Sequence, residues 1–195
     1  MPRPEVDPSP ALFVFFGLIA TGKSSLAQAW AADRQAAYYN SDRLRKELAG
    51  LAPAARQREN FDQGIYTAAF SQKTYTALLA RAEFELARGR AVVLDGSYQQ
   101  RRERDRLRCL AGRLGCRLYF ILCTCPEDEL RRRLAERARD PHAVSDGRWE
   151  IYQQQKQRFE TPSEIGPGQL LTISTLAPLE TLVAQIAQHI NNSII

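Results

Sequence analysis

The sequence predicts an α/β fold, a three-layer sandwich around a mainly parallel five-stranded sheet. Three observations carry it. Short apolar runs alternate with longer helical patterns about five times, with no internal repeat. The first run, LFVFF at Leu12 to Phe16, is continuous and ends on glycine, as a strand buried on both faces does. Gly17, Asp42 and Asp95 each follow a predicted strand, and ligands of such sheets bind at the carboxyl ends of the strands.

The elements follow in order. Ser24 to Asp33 reads as a helix and Ala37 to Asn40 as a short strand. Asp42 to Ala49 is helical, and Gly50 to Asn60, with Pro53, is a loop or a broken helix. Ile65 to Arg88 is a long amphipathic helix stopped by Gly89. Ala91 to Leu94 is a strand, Gln99 to Ala111 a helix, and Arg117 to Cys123 a strand. Pro126 opens a helix to about Ala138, with Glu127, Asp128 and Glu129 in the first turn where the helix dipole favours acids. Ser145 is the expected N-cap of a helix through Phe159. Leu170 to Ile173 is the last strand and Leu179 to Ile190 the last helix.

Residues 1–10, with four prolines and two acids among them, read as a flexible lead-in, and 11–195 as a single domain. At 195 residues, a second, substrate-specifying domain is not expected. Hydrophobic residues at 44% and charged residues at 25% exclude a disordered or fibrous chain. No apolar run approaches the roughly 18 to 20 residues of a membrane span, and the lead-in lacks the apolar stretch of a secretory signal. A cytoplasmic, reducing compartment is expected, so Cys109, Cys116, Cys123 and Cys125 read as free thiols, and no membrane partner is expected.

The net charge is +5, and 23 of the 27 basic residues are arginine. Arginine grips planar anions bidentately, which hints at phosphate; a high-GC coding bias gives the same excess.

Gly17 to Ser24 reads GLIATGKS, which is G-x-x-x-x-G-K-[ST] without deviation. Gly17 lets the chain turn after the strand, and Gly22 lets the backbone approach an anion. The successive N–H groups of Ala20, Thr21 and Gly22, with those of Lys23, Ser24 and Ser25 at the helix start, form an anion nest. Lys23 reaches β- and γ-phosphates, and the Ser24 hydroxyl reaches Mg²⁺. The motif predicts a P-loop and a nucleoside triphosphate. It leaves kinase, switch and motor open.

Asp42 begins a helix with Arg45 three residues on, so the two share a face. The pair could orient an acceptor hydroxyl and a neighbouring anion; equally, Asp42 could be an N-cap beside a solvated arginine. Asp95 ends a strand, as an acid holding Mg²⁺ does, or forms a turn before Gly96. Arg131, Arg132, Arg133, Arg137 and Arg139 form a basic run, with Arg133 and Arg137 four apart on one face. A helical lid around residues 131–148 would close over the nucleotide and exclude water, or the run is a solvated helix. The second run, Arg101 to Arg108, includes Glu103 and Asp105 and reads as a solvated helix with internal ion pairs.

GLIATGKS, NSDRLRKELAGL, AVVLDGSYQQRRERDRL and ILCTCPEDELRRRLAERARDPHAVSD together resemble P-loop kinase-like proteins, the AAA-family ATPases and zeta-toxin-like or polynucleotide kinases. The resemblance runs from Leu12 to Phe159 and looks closest to the ATP-binding domain fused behind aminoglycoside-phosphotransferase-like domains. It implies ATP and Mg²⁺ as cofactors and transfer of a phosphoryl group to an acceptor hydroxyl. By its D-x-x-R spacing, Asp42 would be the base and Arg45 the anchor of the acceptor's anion, with Asp95 the family's second acid. Arg133 and Arg137 match its lid, and Arg137 would steady the transferring charge. The acceptor does not carry over: it could be a small molecule or a nucleic-acid 5′-hydroxyl. A regulatory module with slow ATPase activity and a zeta-toxin-like kinase of nucleotide sugars are the alternatives.

Overall fold

The computed structural model describes residues 10–52, 64–139 and 149–193. Five parallel strands form one sheet in the order β2-β3-β1-β4-β5: β1 (Ala11–Phe16), β2 (Ala37–Asn40), β3 (Val92–Asp95), β4 (Arg117–Thr124) and β5 (Leu170–Ser174). Between them run α1 (Lys23–Arg34), α2 (Ser41–Leu48), α3 (Ala68–Leu86), α4 (Arg101–Leu114), α5 (Glu127–Arg139) and α6 (Trp149–Arg158), and α7 (Leu179–Asn192) follows β5. The α/β sandwich expected from the sequence is the observed fold.

Strand β1 lies in the middle and is buried along its whole length, which is why it reads as an unbroken apolar run. Its side chains alternate between two cores. Leu12, Val14 and Phe16 face Leu78 of α3 and Leu107 of α4, while Ala11, Phe13 and Phe15 face Trp30 of α1 and Ile186 of α7. Trp30 is fully buried with its ring edge-on to Phe13 at 5.3 Å. Each such aromatic contributes roughly 1.5–3 kcal/mol of burial. A third, smaller cluster joins Ile19 and Ala20 of the loop after β1 to Leu130 and Leu134 of α5 and Tyr152 of α6.

From β1 the chain runs to β2 and β3 on one side of it and then crosses to β4 and β5 on the other, so the strand order reverses at the carboxyl end of β1, where a ligand crevice is expected.

Several boundaries shift. The long helix expected from Ile65 starts instead at Ala68, after a turn of 3₁₀ helix at Gly64–Tyr66, because Thr67 takes the N-cap and accepts from Phe70 N–H. Helix α4 starts at Arg101 and runs on to Leu114, closing on Gly115 in the left-handed region. Ser145, residues 1–9, most of the Gly50 to Asn60 stretch and the 140–148 part of the expected lid lie outside the described residues.

Candidate active site at the carboxyl rim of the sheet

The loop from Gly17 to Ser24 turns directly off β1 into α1. Gly17 has φ 135°, and a Cβ there would lie 2.5 Å from the Cys123 carbonyl oxygen. Gly22 has φ 82°, and a Cβ there would meet Arg133 Nη1 and the Thr175 hydroxyl at 3.0 Å. Neither position accepts a side chain. Ala20 is also left-handed, at φ 62°. The loop curls over its own bonds: Thr21 Oγ1 donates to Leu18 O at 2.8 Å and Lys23 Nζ to the same carbonyl at 3.3 Å. Gly22 is the N-cap of α1 and supplies no side-chain cap, so the first N–H groups of the helix stay open to an anion. Ser24 is half-buried and Ser25 exposed.

Two groups clamp the loop from outside. The Thr175 hydroxyl donates to Thr21 O at 2.6 Å, beyond the end of β5. Arg133 donates through Nη1 to Thr175 Oγ1 and Ala20 O, through Nη2 to Thr175 O, and through Nε to Glu129. The structure thus brings Arg133 to the phosphate loop, already held by protein acceptors. Arg137 lies on α5, but its side chain lies outside the described residues. Arg131 and Arg132 are solvated, with ion partners Glu127, Glu129 and Glu136 on their own helix.

The acids stand opposite. Asp95 is fully buried at the end of β3, paired in register with Phe15 of β1 and Asn40 of β2. Its Oδ2 accepts from Tyr38 OH at 2.7 Å and Asn40 Nδ2 at 2.5 Å, while Oδ1 has no partner among the described residues. Burial, then the Asp95 charge, raises the Tyr38 hydroxyl above its ordinary range, so it stays a donor. Asn40 also caps α2, its Oδ1 accepting from Arg43 N–H at 2.9 Å. The cap is therefore Asn40, not Asp42. Asp42 sits one residue inside the helix, and its carboxylate makes no hydrogen bond or ion pair with the described residues.

Asp42 and Lys23 border one cavity of about 190 Å³, with Ser41, Arg45, Glu103 and Gln155 among its other walls. Arg45 is 6% exposed. Its Nη1 donates to Ile65 O at 2.9 Å and Ser71 Oγ at 3.0 Å, and its guanidinium lies 5.1 Å from the Tyr66 ring centre. Burial pushes the Glu103 carboxyl above its ordinary range, against the pull of the Gln100 backbone N–H and of Arg102, Arg104 and Arg45.

Beneath this cavity lies a group that the sequence reading missed. Arg104, placed there in a solvated helix, is fully buried. It pairs with Glu164 at 2.6 Å and donates through Nη1 to the carbonyls of Tyr98 and Gln99. Those carbonyls belong to the loop after β3, where Tyr98 holds φ 40°. The helical period could have found it: Arg104 shares a face with Leu107 and Ala111, so it points inward. Arg101 and Arg108, by contrast, are exposed and paired with Asp105 as expected.

The residues fit Mg²⁺ and a triphosphate. The loop offers open N–H groups, a lysine and glycines that leave room, and Asp95 offers one buried oxygen without a partner among the described residues.

A phosphate loop on the central strand, with a polar cavity across the rim, defines the class: a P-loop domain of kinase-like architecture. A family model described as an AAA domain matches residues 12–162, and the chain belongs to that family. Among solved structures, Kti12 from Chaetomium thermophilum in complex with ADP-AlF3 is similar at TM-score 0.70 and 16% identity, over 95% of this chain and 100% of that one. The Mycobacterium tuberculosis APS kinase CysC in complex with AMPPNP and APS matches at TM-score 0.66 and 18% identity, over 95% and 99%. A gluconokinase from Sinorhizobium meliloti matches at TM-score 0.65 and 22% identity, over 96% and 94%. No curated protein sequence matches the chain. No helix among the described residues is long and apolar enough to cross a membrane.

Proposed function

We propose that the chain is an ATP-dependent phosphotransferase that moves the γ-phosphoryl group of ATP to the hydroxyl of a small acceptor. One observation carries this reading: the lysine of the phosphate loop and an aspartate without a partner among the described residues border the same cavity. The cavity gives an acceptor hydroxyl room beside that base.

The loop N–H groups would hold the β-phosphate and Lys23 the β- and γ-phosphates. Asp42 would accept the acceptor's proton as the new O–P bond forms and the bond to the ADP oxygen breaks. Ser24 and Asp95 would hold Mg²⁺, which supplies charge neutralisation between the phosphates when bound. Arg45, which lines the cavity, would anchor an anionic group of the acceptor. Arg133, and Arg137 on the same helix, would add positive charge on the nucleotide side.

The cavity is below the roughly 300 Å³ at which ligand pockets usually begin, which favours a compact acceptor. The kinases among the structural relatives support the same chemistry. The test is a panel of hydroxyl compounds, including sugars, sugar acids, nucleosides and an oligonucleotide 5′-end, incubated with γ-labelled ATP. Label in a small acceptor supports the reading. Phosphate released only to water points to a regulatory ATPase instead, and label in the oligonucleotide or a nucleotide sugar corrects the acceptor class.

A further inference from the structure

Helix α6 crosses one side of the cavity with Ile151, Gln155 and Arg158, spaced four and three apart on one face. Gln155 also touches the phosphate loop. Ile19 N–H donates to Gln155 Oε1 at 2.9 Å, across 136 positions of sequence. A backbone N–H can only donate, so the atom facing it must be the amide oxygen, and the orientation of the amide is fixed. Its NH₂ group then has no acceptor among the described residues, although the side chain borders the cavity shared by Lys23 and Asp42. A side chain needed only to satisfy the Ile19 N–H would require a single acceptor atom. Gln155 brings two further donors, unspent, to the edge of the space through which the phosphoryl group would travel.

We infer that Gln155 is a catalytic residue: Ile19 pins its oxygen, and its NH₂ donates to the phosphoryl group in transit between ADP and the acceptor. This rests on the phosphotransferase reading above. The bond to the ADP oxygen breaks, the bond to the acceptor oxygen forms, and the acceptor's proton goes to Asp42. Gln155 gives a hydrogen bond and keeps its protons. Donors held in place before the reaction act where charge moves, at no cost in reorganisation.

The test separates pinning from donation. Gln155→Glu keeps an acceptor for Ile19 N–H, strengthened by charge, but removes both donors and sets a carboxylate against the phosphoryl group. Gln155→Met keeps the bulk and removes both functions. The probe is ADP, bound alone or with Mg²⁺ and aluminium fluoride, whose complex mimics the phosphoryl group in flight. The wild type is expected to bind the fluoride complex more tightly than ADP. Gln155→Met should lose about tenfold of that gain and Gln155→Glu about a hundredfold, while affinity for ADP alone stays within about threefold. A Gln155→Glu variant that keeps the full gain overturns the assignment and leaves the phosphotransferase reading standing. A wild type with no gain overturns that reading and the assignment with it.

Discussion

The two sides of the rim differ in how far their polar groups are already spent. Around the phosphate loop Thr21, Lys23, Arg133 and Thr175 each have a protein partner. Thr175 holds Thr21, and Arg133 divides its donors among Ala20, Thr175 and Glu129. On the proposed acceptor side, among the described residues, Asp42 has none and the Gln155 NH₂ has no acceptor. A triphosphate is a constant ligand, and its cradle can be built in advance from backbone and held rigid. On the proposed reading, the groups of the other side take their partners from the acceptor. The contrast teaches where to look for specificity: among the unspent groups, not in the loop.

The comparison can be broken at its strongest point first. Lys23→Ala should abolish nucleotide-dependent transfer, by at least about a hundredfold, with thermal stability unchanged. Equal transfer in this variant would remove the loop from the chemistry.

Next is the buttress under the acceptor side. Arg104→Ala strands the Glu164 carboxylate in the interior, since that side chain is 2% exposed. The expected loss is about 3–5 kcal/mol, read from denaturant unfolding. The pair also sets a pH dependence. Burial raises the Glu164 carboxyl, but the Arg104 hydrogen bond and charge bring it net below its ordinary range. The stabilisation is thus complete above the ordinary carboxylate range and is lost as pH falls through the lowered value. Arg104→Ala should narrow its gap to the wild type in acid.

A smaller effect sharpens the link between the two acids. Asn40→Ala removes the cap of α2 and one bond to Asp95, and should cost about 1 kcal/mol while raising the Mg²⁺ needed for nucleotide binding. Tyr38→Phe removes a bond to Asp95 and leaves the cap, so it should shift the Mg²⁺ requirement with α2 intact. If both variants titrate with Mg²⁺ as the wild type does, Asp95 is not its ligand.

The smallest effect concerns Glu103. Its carboxyl is held above the ordinary range by burial, so the folded state binds its proton more tightly than the unfolded chain. That stability is present below the ordinary carboxylate range and lost as pH rises through the raised value. Glu103→Gln should therefore raise the melting temperature slightly at neutral pH and not in acid.

Most of the fold was legible because each signal was local. The apolar run of β1, the Gly17-to-Ser24 motif and the stop before Gly89 need only neighbouring residues. The loop was legible for the same reason. The buttress was not, because Arg104 is separated from Glu164 by 60 positions and looks like any other arginine in a basic run. Asn40 was missed differently. It lies two residues before Asp42, which the sequence offers as one of two readings for a cap. Gln155 carries no charge and no motif, and only the bond to Ile19 singles it out.

The measurement that bears most directly on the central claim is a pair of readouts on Asp42→Ala. The account predicts that this variant binds Mg·ATP as tightly as the wild type but transfers the labelled γ-phosphoryl group to the acceptor found in the panel at least about a hundredfold more slowly. Transfer at the wild-type rate would contradict it.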